Sequence, residues 1–290
     1  MLRAAALLAA LSLGLALAGC GSAARVPVTG GAGAPQRIVS MNPCVDAVLK
    51  EVAAPGQIAA ISQYSHDPRA TSVPLDWASR YPANNGSAED VIAARPDLVI
   101  AGPHVAVQTI TALKRLGIPL MQVTVPETVV ENKAQIALIA ERVGRQDAGR
   151  ELTVRIDEAM AHSHWPGKAA PALIWQGSGL VPGKGTLADE LLTHAGFRNV
   201  SPAFGLKKWD ILPLEGMFLN PPKVLLAGRA DMGAGDGDAN RMLSHPALRK
   251  AGRHFRIADY PSNLLHCGGP VILRSLARLT EVRRELGDTP

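Results

Sequence analysis

Hydrophobic and polar positions along this chain switch repeatedly between short continuous apolar runs and the three-four spacing of a helix. Arg37 to Met41 predicts a buried strand, Asn42-Pro43 punctuates it, and Cys44 to Val52 carries helical spacing. Ile58 to Ser62 is a second short strand. Ser87 before Ala88-Glu89-Asp90 opens a helix with its acids in the first turn, where the dipole favours them, and Arg95-Pro96 closes it. Leu98 to Gly102 is a continuous apolar run of the kind found in parallel strands covered on both faces. Val105 to Leu116 follows as a helix stopped by Gly117, and Ile118 to Thr124 returns as a strand.

This pattern repeats. Shifting the chain by 126 positions lays Ala88 to Gly102 over Leu214 to Gly228, with Glu89 on Glu215, Pro96 on Pro222, Ala101 on Ala227 and Gly102 on Gly228. The apolar positions between them also coincide, so both segments encode a helix with one Glu at its start, a Pro stop, a buried strand and a Gly turn. Two α/β lobes of like construction are expected. Between them Glu131 to Val143 reads as a helix ended by Gly144, and Asp147 starts a longer helix reaching about His164. Ala172 to Gln176 then opens the second lobe with a strand, as Arg37 to Met41 opens the first.

Before the first strand the pattern is different. Met1 to Gly19 has one early charge, Arg3, and then an apolar stretch from Ala4 to Ala18, too short for a membrane-spanning helix and suited to an export signal. Leu17-Ala18-Gly19-Cys20 resembles the bacterial lipobox, so Cys20 is the expected lipidation site and the new N-terminus, with ordinary signal cleavage as the alternative. Residues 20–35 are rich in Gly, Ala, Ser, Thr, Val and Pro and are expected to be a flexible tether, with the folded part beginning near Gln36.

Composition narrows the function. The 290 residues are 47% hydrophobic and 19% charged, a globular balance with enough length for two lobes. The net charge of +5 is scattered, with no run of five like charges, so no nucleic-acid partner is expected. Three cysteines cannot all pair within one chain. Cys44 and Cys267 each stand where a loop enters a helix, in different lobes. They could line a site as free thiols, the reading preferred here, or pair and pin the lobes together.

Several motifs fail. Gly183-Lys184-Gly185-Thr186 lacks the leading Gly and the Ser or Thr of a phosphate loop. Asp236, Asp238 and Asn240 open like a calcium loop, but Arg241 and Ala247 occupy its Gly and Glu positions. No HExxH is present, and Gly177-Ser178-Gly179 only approaches a nucleophile elbow, without an evident triad behind it. A periplasmic hydrolase using Cys44 or Ser178 is the alternative from a different class. Aromatics are few, which draws attention to Tyr64, Trp175 and Trp209 near element ends, as stacking walls for a bulky ligand or as packing at lobe edges.

Together, Arg37 to Pro43, the Tyr64-Ser65-His66-Asp67-Pro68 loop, the Glu89 to Gly102 block, the helical spacer, Gly185 to Leu192 with Gly196 and Asn199, and Gly268-Gly269-Pro270 resemble a helical-backbone (class III) periplasmic binding protein. Such proteins are the substrate-binding components of ABC importers for cobalamin and ferric siderophores. The resemblance implies an α/β fold of two lobes, residues 36–130 and 168–290, joined through residues 131–167 by one long helix, with the ligand cleft between the lobes.

It further implies a monomer and no enzyme activity. The expected ligand is a metal chelate, a ferric siderophore or a corrinoid, which itself carries the iron or cobalt, so no separate cofactor and no directly bound metal are expected. The expected partners are this ligand, an ABC permease with its ATPase subunits, and a membrane reached through the lipid on Cys20, giving a periplasmic or extracytoplasmic location. By the same resemblance Glu89 and Glu215 dock against permease arginines, and Tyr64 and Trp209 match cleft aromatics of cobalamin-binding members, although Ala83 stands where those members often have a further Trp. Trp175, Cys44, His66, His266 and Cys267 complete the expected ligand-binding set, with helix-start N–H groups near Cys44 and Cys267 contributing. Heme-binding relatives use His or Tyr as iron ligands, which keeps a heme carrier open through Tyr64, His66, His104 and His266.

Overall fold

Every strand of the first sheet runs parallel, in the order β3-β2-β1-β4-β5, in a computed structural model that describes residues 33–176, 179–228 and 255–287. Its strands are β1 (Ile38–Ser40), β2 (Ile58–Ser62), β3 (Ala83–Asn84), β4 (Leu98–Ala101) and β5 (Leu120–Gln122). They are connected through helices α1 (Pro43–Val52), α2 (Leu75–Ala78), α3 (Ala88–Ala93) and α4 (Val107–Arg115). Parallel neighbours require such crossovers. The expected signal segment, Cys20 and most of the tether lie outside the described residues, as do Ser178 and the Asp236 to Ala247 stretch. Gln36 and Arg37 are held at the start of the lobe, their backbone N–H groups donating to the Asp97 carboxylate at 2.7 and 2.9 Å.

Two antiparallel-packed helices follow, α5 (Val129–Arg142) and α6 (Gln146–Ser163), turning at Gly144 with φ +72°. α6 has 18 residues and is therefore about 27 Å long at 1.5 Å per residue. The second sheet has the order β11-β10-β6-β8 and is again parallel, from β6 (Ala170–Ile174), β8 (Phe197–Asn199), β10 (Val224–Ala227) and β11 (Arg256–Asp259). β7 (Leu180–Pro182) and β9 (Trp209–Ile211) form a separate antiparallel pair, a feature without a signal in the sequence pattern. α7 (Leu187–His194), α8 (Leu214–Leu219) and α9 (Val271–Glu285) complete the described α-helices. Among the described residues no helix is long and apolar enough to cross a membrane.

The internal repeat is structural. α3 and α8 lie 126 positions apart from first residue to last, and so do β4 and β10. β4 pairs with β1 through Val39↔Val99, and β10 pairs with β6 through Leu173↔Leu225, so the two sheets share strand order and register about their central strands.

Alternation along these strands divides the core. Ile38, Leu98 and Ile100 of the first sheet and Ala172, Ile174, Val224 and Leu226 of the second join one apolar cluster with Ile136 and Ile139 of α5 and Leu152 and Ile156 of α6. The intervening residues point the other way: Val39 and Val99 into a cluster of the first lobe, Leu173 and Leu225 into one of the second. The backbone helix is thus not an isolated spacer. It is built into a core shared by both lobes, which makes the joint between them stiff.

Candidate functional site

The seam between the lobes holds a cavity of about 260 Å³, just under the range typical of small-molecule sites. Asn42 builds one side from the chain upward. As N-cap of α1 its side-chain oxygen accepts from the N–H groups of Cys44 and Val45 at 2.8 and 3.3 Å. Gly102, the residue ending the first copy of the repeat, is glycine because a Cβ there would stand 2.4 Å from the Asn42 amide nitrogen.

Cys44, at the second position of α1, is bonded to Cys267, just ahead of α9, with their Cα atoms 5.1 Å apart. The preferred expectation of free thiols is therefore corrected: the fold brings the two helix approaches to bonding distance, and the bond closes a separation of 223 residues across the lobes. The helix-start N–H groups expected to serve a ligand are also already used. Those of Cys44 and Val45 go to Asn42, and that of Gly269 donates to Asn132 Oδ1 at 2.7 Å.

Of the expected ligand residues, Cys44, Trp209, His266 and Cys267 line the cavity. Trp209 sits at the start of β9 and is 46% exposed. Trp175 does not line it. β6 alternation continues through Trp175, whose N–H donates to the Leu226 carbonyl at 2.9 Å, so its ring falls with Leu173 into the second lobe's own cluster, 1% exposed. Tyr64 and His66 lie in the 3₁₀ turn Gln63–His66 after β2, outside the cavity lining. Tyr64 is 56% exposed, while His66 buries its Nε2 without a hydrogen-bond partner among the described residues. His104 is exposed beside Pro103, which does line the cavity.

Sequence reasoning missed Asn42, Glu127 and Asn132. Asn132 left a signal: it falls on the apolar face of α5 between Val129 and Ile136, where a polar side chain must find buried partners. Among the described residues Glu127 and His266 are the ionisable side chains of the lining, and Glu127 forms an ion pair with Lys208, next to Trp209. Glu190 of α7 adds another tie, accepting from the Val129 N–H at 2.8 Å.

Between the lining residues Val45 and Val48, α1 carries Asp46, wholly buried, whose Oδ2 accepts from Ser65 Oγ at 2.6 Å and the Ser62 N–H at 3.1 Å. Burial pushes its carboxyl up to about 7, against the hydrogen bonds that favour the charged form. Among the described residues no cluster of three His, Cys, Asp or Glu side chains could hold a metal ion. The expected docking pair is exposed: Glu89 and Glu215 are each the second residue of a short helix, α3 and α8. The rejected phosphate loop is the β7 to α7 connection, with Thr186 capping α7 by accepting from the Asp189 N–H at 3.2 Å.

Sequence comparison with curated proteins finds no match. Solved structures match over most of the chain. The apo periplasmic heme-binding protein RhuT from Roseiflexus sp. RS-1 is similar with TM-score 0.69 at 21% identity, over 86% of this chain and 97% of that one. The periplasmic heme-binding protein HutB of Vibrio cholerae gives TM-score 0.70 at 19% identity, over 85% and 98%. The periplasmic vitamin B12 binding protein BtuF of Vibrio cholerae gives 0.66 at 15% identity, over 88% and 99%. At these identities the likenesses show the fold. The model of the periplasmic binding protein family matches residues 38–264, spanning both lobes and the helices between them. The chain belongs to the periplasmic binding protein family, in its helical-backbone class.

Proposed function

We propose that this protein captures a metal chelate, a ferric siderophore or a corrinoid, and delivers it to an ABC permease. Proteins of this family are extracytoplasmic binding proteins that hand their ligands to such permeases. The observation that carries the reading is the interlobe cavity walled by Trp209, His266 and the Cys44–Cys267 bond. Its flat aromatic wall and apolar lining offer stacking and burial to a ring-bearing ligand. Among the described residues its lining includes one carboxylate, that of Glu127, which is engaged by Lys208. Lipid attachment at Cys20 would hold the protein at the membrane beside its permease, and Glu89 and Glu215 would set its orientation there.

The test is tryptophan fluorescence of the purified protein titrated with cobalamin, cobinamide, a panel of ferric siderophores and hemin, with calorimetry for each hit. Saturable submicromolar binding of a siderophore or corrinoid supports the reading. Turnover of an ester or thioester, with no chelate bound, would replace it with the hydrolase alternative through Ser178, since the bond to Cys267 removes Cys44 as a nucleophile.

A second reading, a heme carrier, is favoured by His266 in the cavity wall and by the heme-binding function named for RhuT and HutB. It predicts a Soret band on mixing with hemin that is lost or shifted in His266→Ala.

A further inference from the structure

The wall that carries Cys44 and Cys267 has a second cavity on its other side, of about 280 Å³. α1 turns Cys44, Val45 and Val48 to the first cavity and Ala47, Lys50 and Glu51 to the second. The approach to α9 does the same: Cys267 to Gly269 face the first, while Pro270, Val271, Leu273 and Arg274 face the second. Arg155 of α6 and the Ser72–Pro74 segment close the remaining sides.

The charged groups here do not cancel. Lys50, Arg155 and Arg274 converge from three elements, and among the described residues of the lining Glu51 is the carboxylate that faces them. Both Glu51 oxygens are engaged, Oε1 by Lys50 Nζ at 2.9 Å and Oε2 by Arg155 Nη1 at 3.0 Å. Arg274 donates from Nη2 to the Ser72 carbonyl at 2.6 Å, and its Nε and Nη1 have no acceptor among the described residues. Desolvation holds the Arg274 guanidinium below the ordinary arginine range, against the pull of Glu51.

We propose that this second cavity is a binding site for a small oxyanion of the phosphate or sulfate type, received by Arg274 with Arg155 and Lys50. The N–H groups of Arg274 that Ser72 leaves free can donate to oxygens of such an ion, and three cations facing one carboxylate among the described residues of the lining supply the attraction. Since the cations belong to α1, α6 and α9, a bound oxyanion ties α6 to α1, which lines the first cavity, and to α9, whose approach Cys267 to Gly269 lines it. Its occupancy therefore couples to ligand affinity there, and the coupling is reciprocal.

Calorimetric titration of the full chain with sodium phosphate, against sodium chloride at equal ionic strength, tests this. The expected result is a saturable heat with phosphate and none with chloride, weakened about tenfold or more by Arg274→Gln and strengthened by Glu51→Gln, which removes the competing carboxylate. A parallel titration with glycerol 3-phosphate distinguishes a phosphate ester from the free ion, and tighter binding of either supports the site. Absence of saturable heat from both, or unchanged phosphate affinity in Arg274→Gln, would overturn it. Lys50→Gln serves in place of Arg274→Gln if circular dichroism shows that variant unfolded, and the same two results apply. The site stands independently of which chelate fills the first cavity.

Discussion

The Gly269 N–H donates to Asn132 Oδ1 at 2.7 Å in a buried contact beside the cavity, 137 positions away along the chain. The neighbouring Gly268 has no room for a side chain, since a Cβ would stand 1.9 Å from the same oxygen. The Asn132 amide donates in turn to the Thr128 carbonyl at 2.8 Å, so one side chain fastens α5 to the approach of α9 along the cavity. Asn132→Ala leaves a buried N–H without an acceptor and is expected to cost about 2 kcal/mol. Urea unfolding measures it, and a loss under about 0.5 kcal/mol, the scale of a surface substitution, would deny Asn132 this role.

The Cys44–Cys267 bond shortens the unfolded chain's freedom over a separation of 223 residues. In the chain-entropy account such a closure stabilises by about 5 kcal/mol. The double variant Cys44→Ser, Cys267→Ser should unfold at clearly lower urea concentration than the oxidised protein, and dithiothreitol should reproduce the shift. Equal midpoints would show that the fold alone holds the two helix starts together.

Asp46 makes stability depend on pH. Its folded value near 7 lies above the ordinary carboxylate value in the unfolded chain, so its contribution is fully present below about pH 4 and is lost as pH rises through about 7. At about 1.4 kcal/mol per unit, the loss is on the order of 4 kcal/mol. Asp46→Asn should flatten the fall in urea midpoint between about pH 4.5 and about pH 7.5 relative to the parent protein. An equally steep fall in the variant would assign the pH dependence to other groups.

Trp209→Ala should weaken the chelate that binds by about 1 to 2 kcal/mol, roughly tenfold, through loss of stacking area. Trp175→Phe, a change within the second lobe's core, should leave that affinity unchanged. Calorimetry on the two variants separates them, and equal loss in both would remove Trp209 from the binding wall.

Glu89→Ala with Glu215→Ala should leave ligand affinity unchanged while abolishing uptake by cells that depend on the protein. Both side chains are exposed at helix starts, so folding should be unaffected. Uptake at the parent rate would exclude them from docking.

Local order in this protein is written in its local pattern. β2 spans Ile58–Ser62 as its apolar run indicates, Ser87 caps α3 by accepting from the Asp90 N–H at 3.2 Å, and the 126-residue offset recurs in α3 and α8 and in β4 and β10. These features depend on spacing of two or three to four residues and on capping chemistry, which neighbours along the chain decide. β7 and β9 escaped such a reading because each is three residues long and is stabilised by the other across the 26 residues between Pro182 and Trp209.

The site required more than periodicity. The sequence singles out Trp175 and Trp209 alike, as rare aromatics at a strand end and in a loop, and only the packing of β6 against β10 buries the first while the second stands at the cavity. Nothing local distinguishes a free Cys44 from one bonded to Cys267, because the answer lies in a Cα separation of 5.1 Å between residues 223 apart. The chain by itself determined the two repeated α/β lobes, the helices between them and the family they resemble. The tertiary structure decided which of the candidate residues meet, since contact between distant residues is set by how whole elements pack and not by the pattern within any one of them.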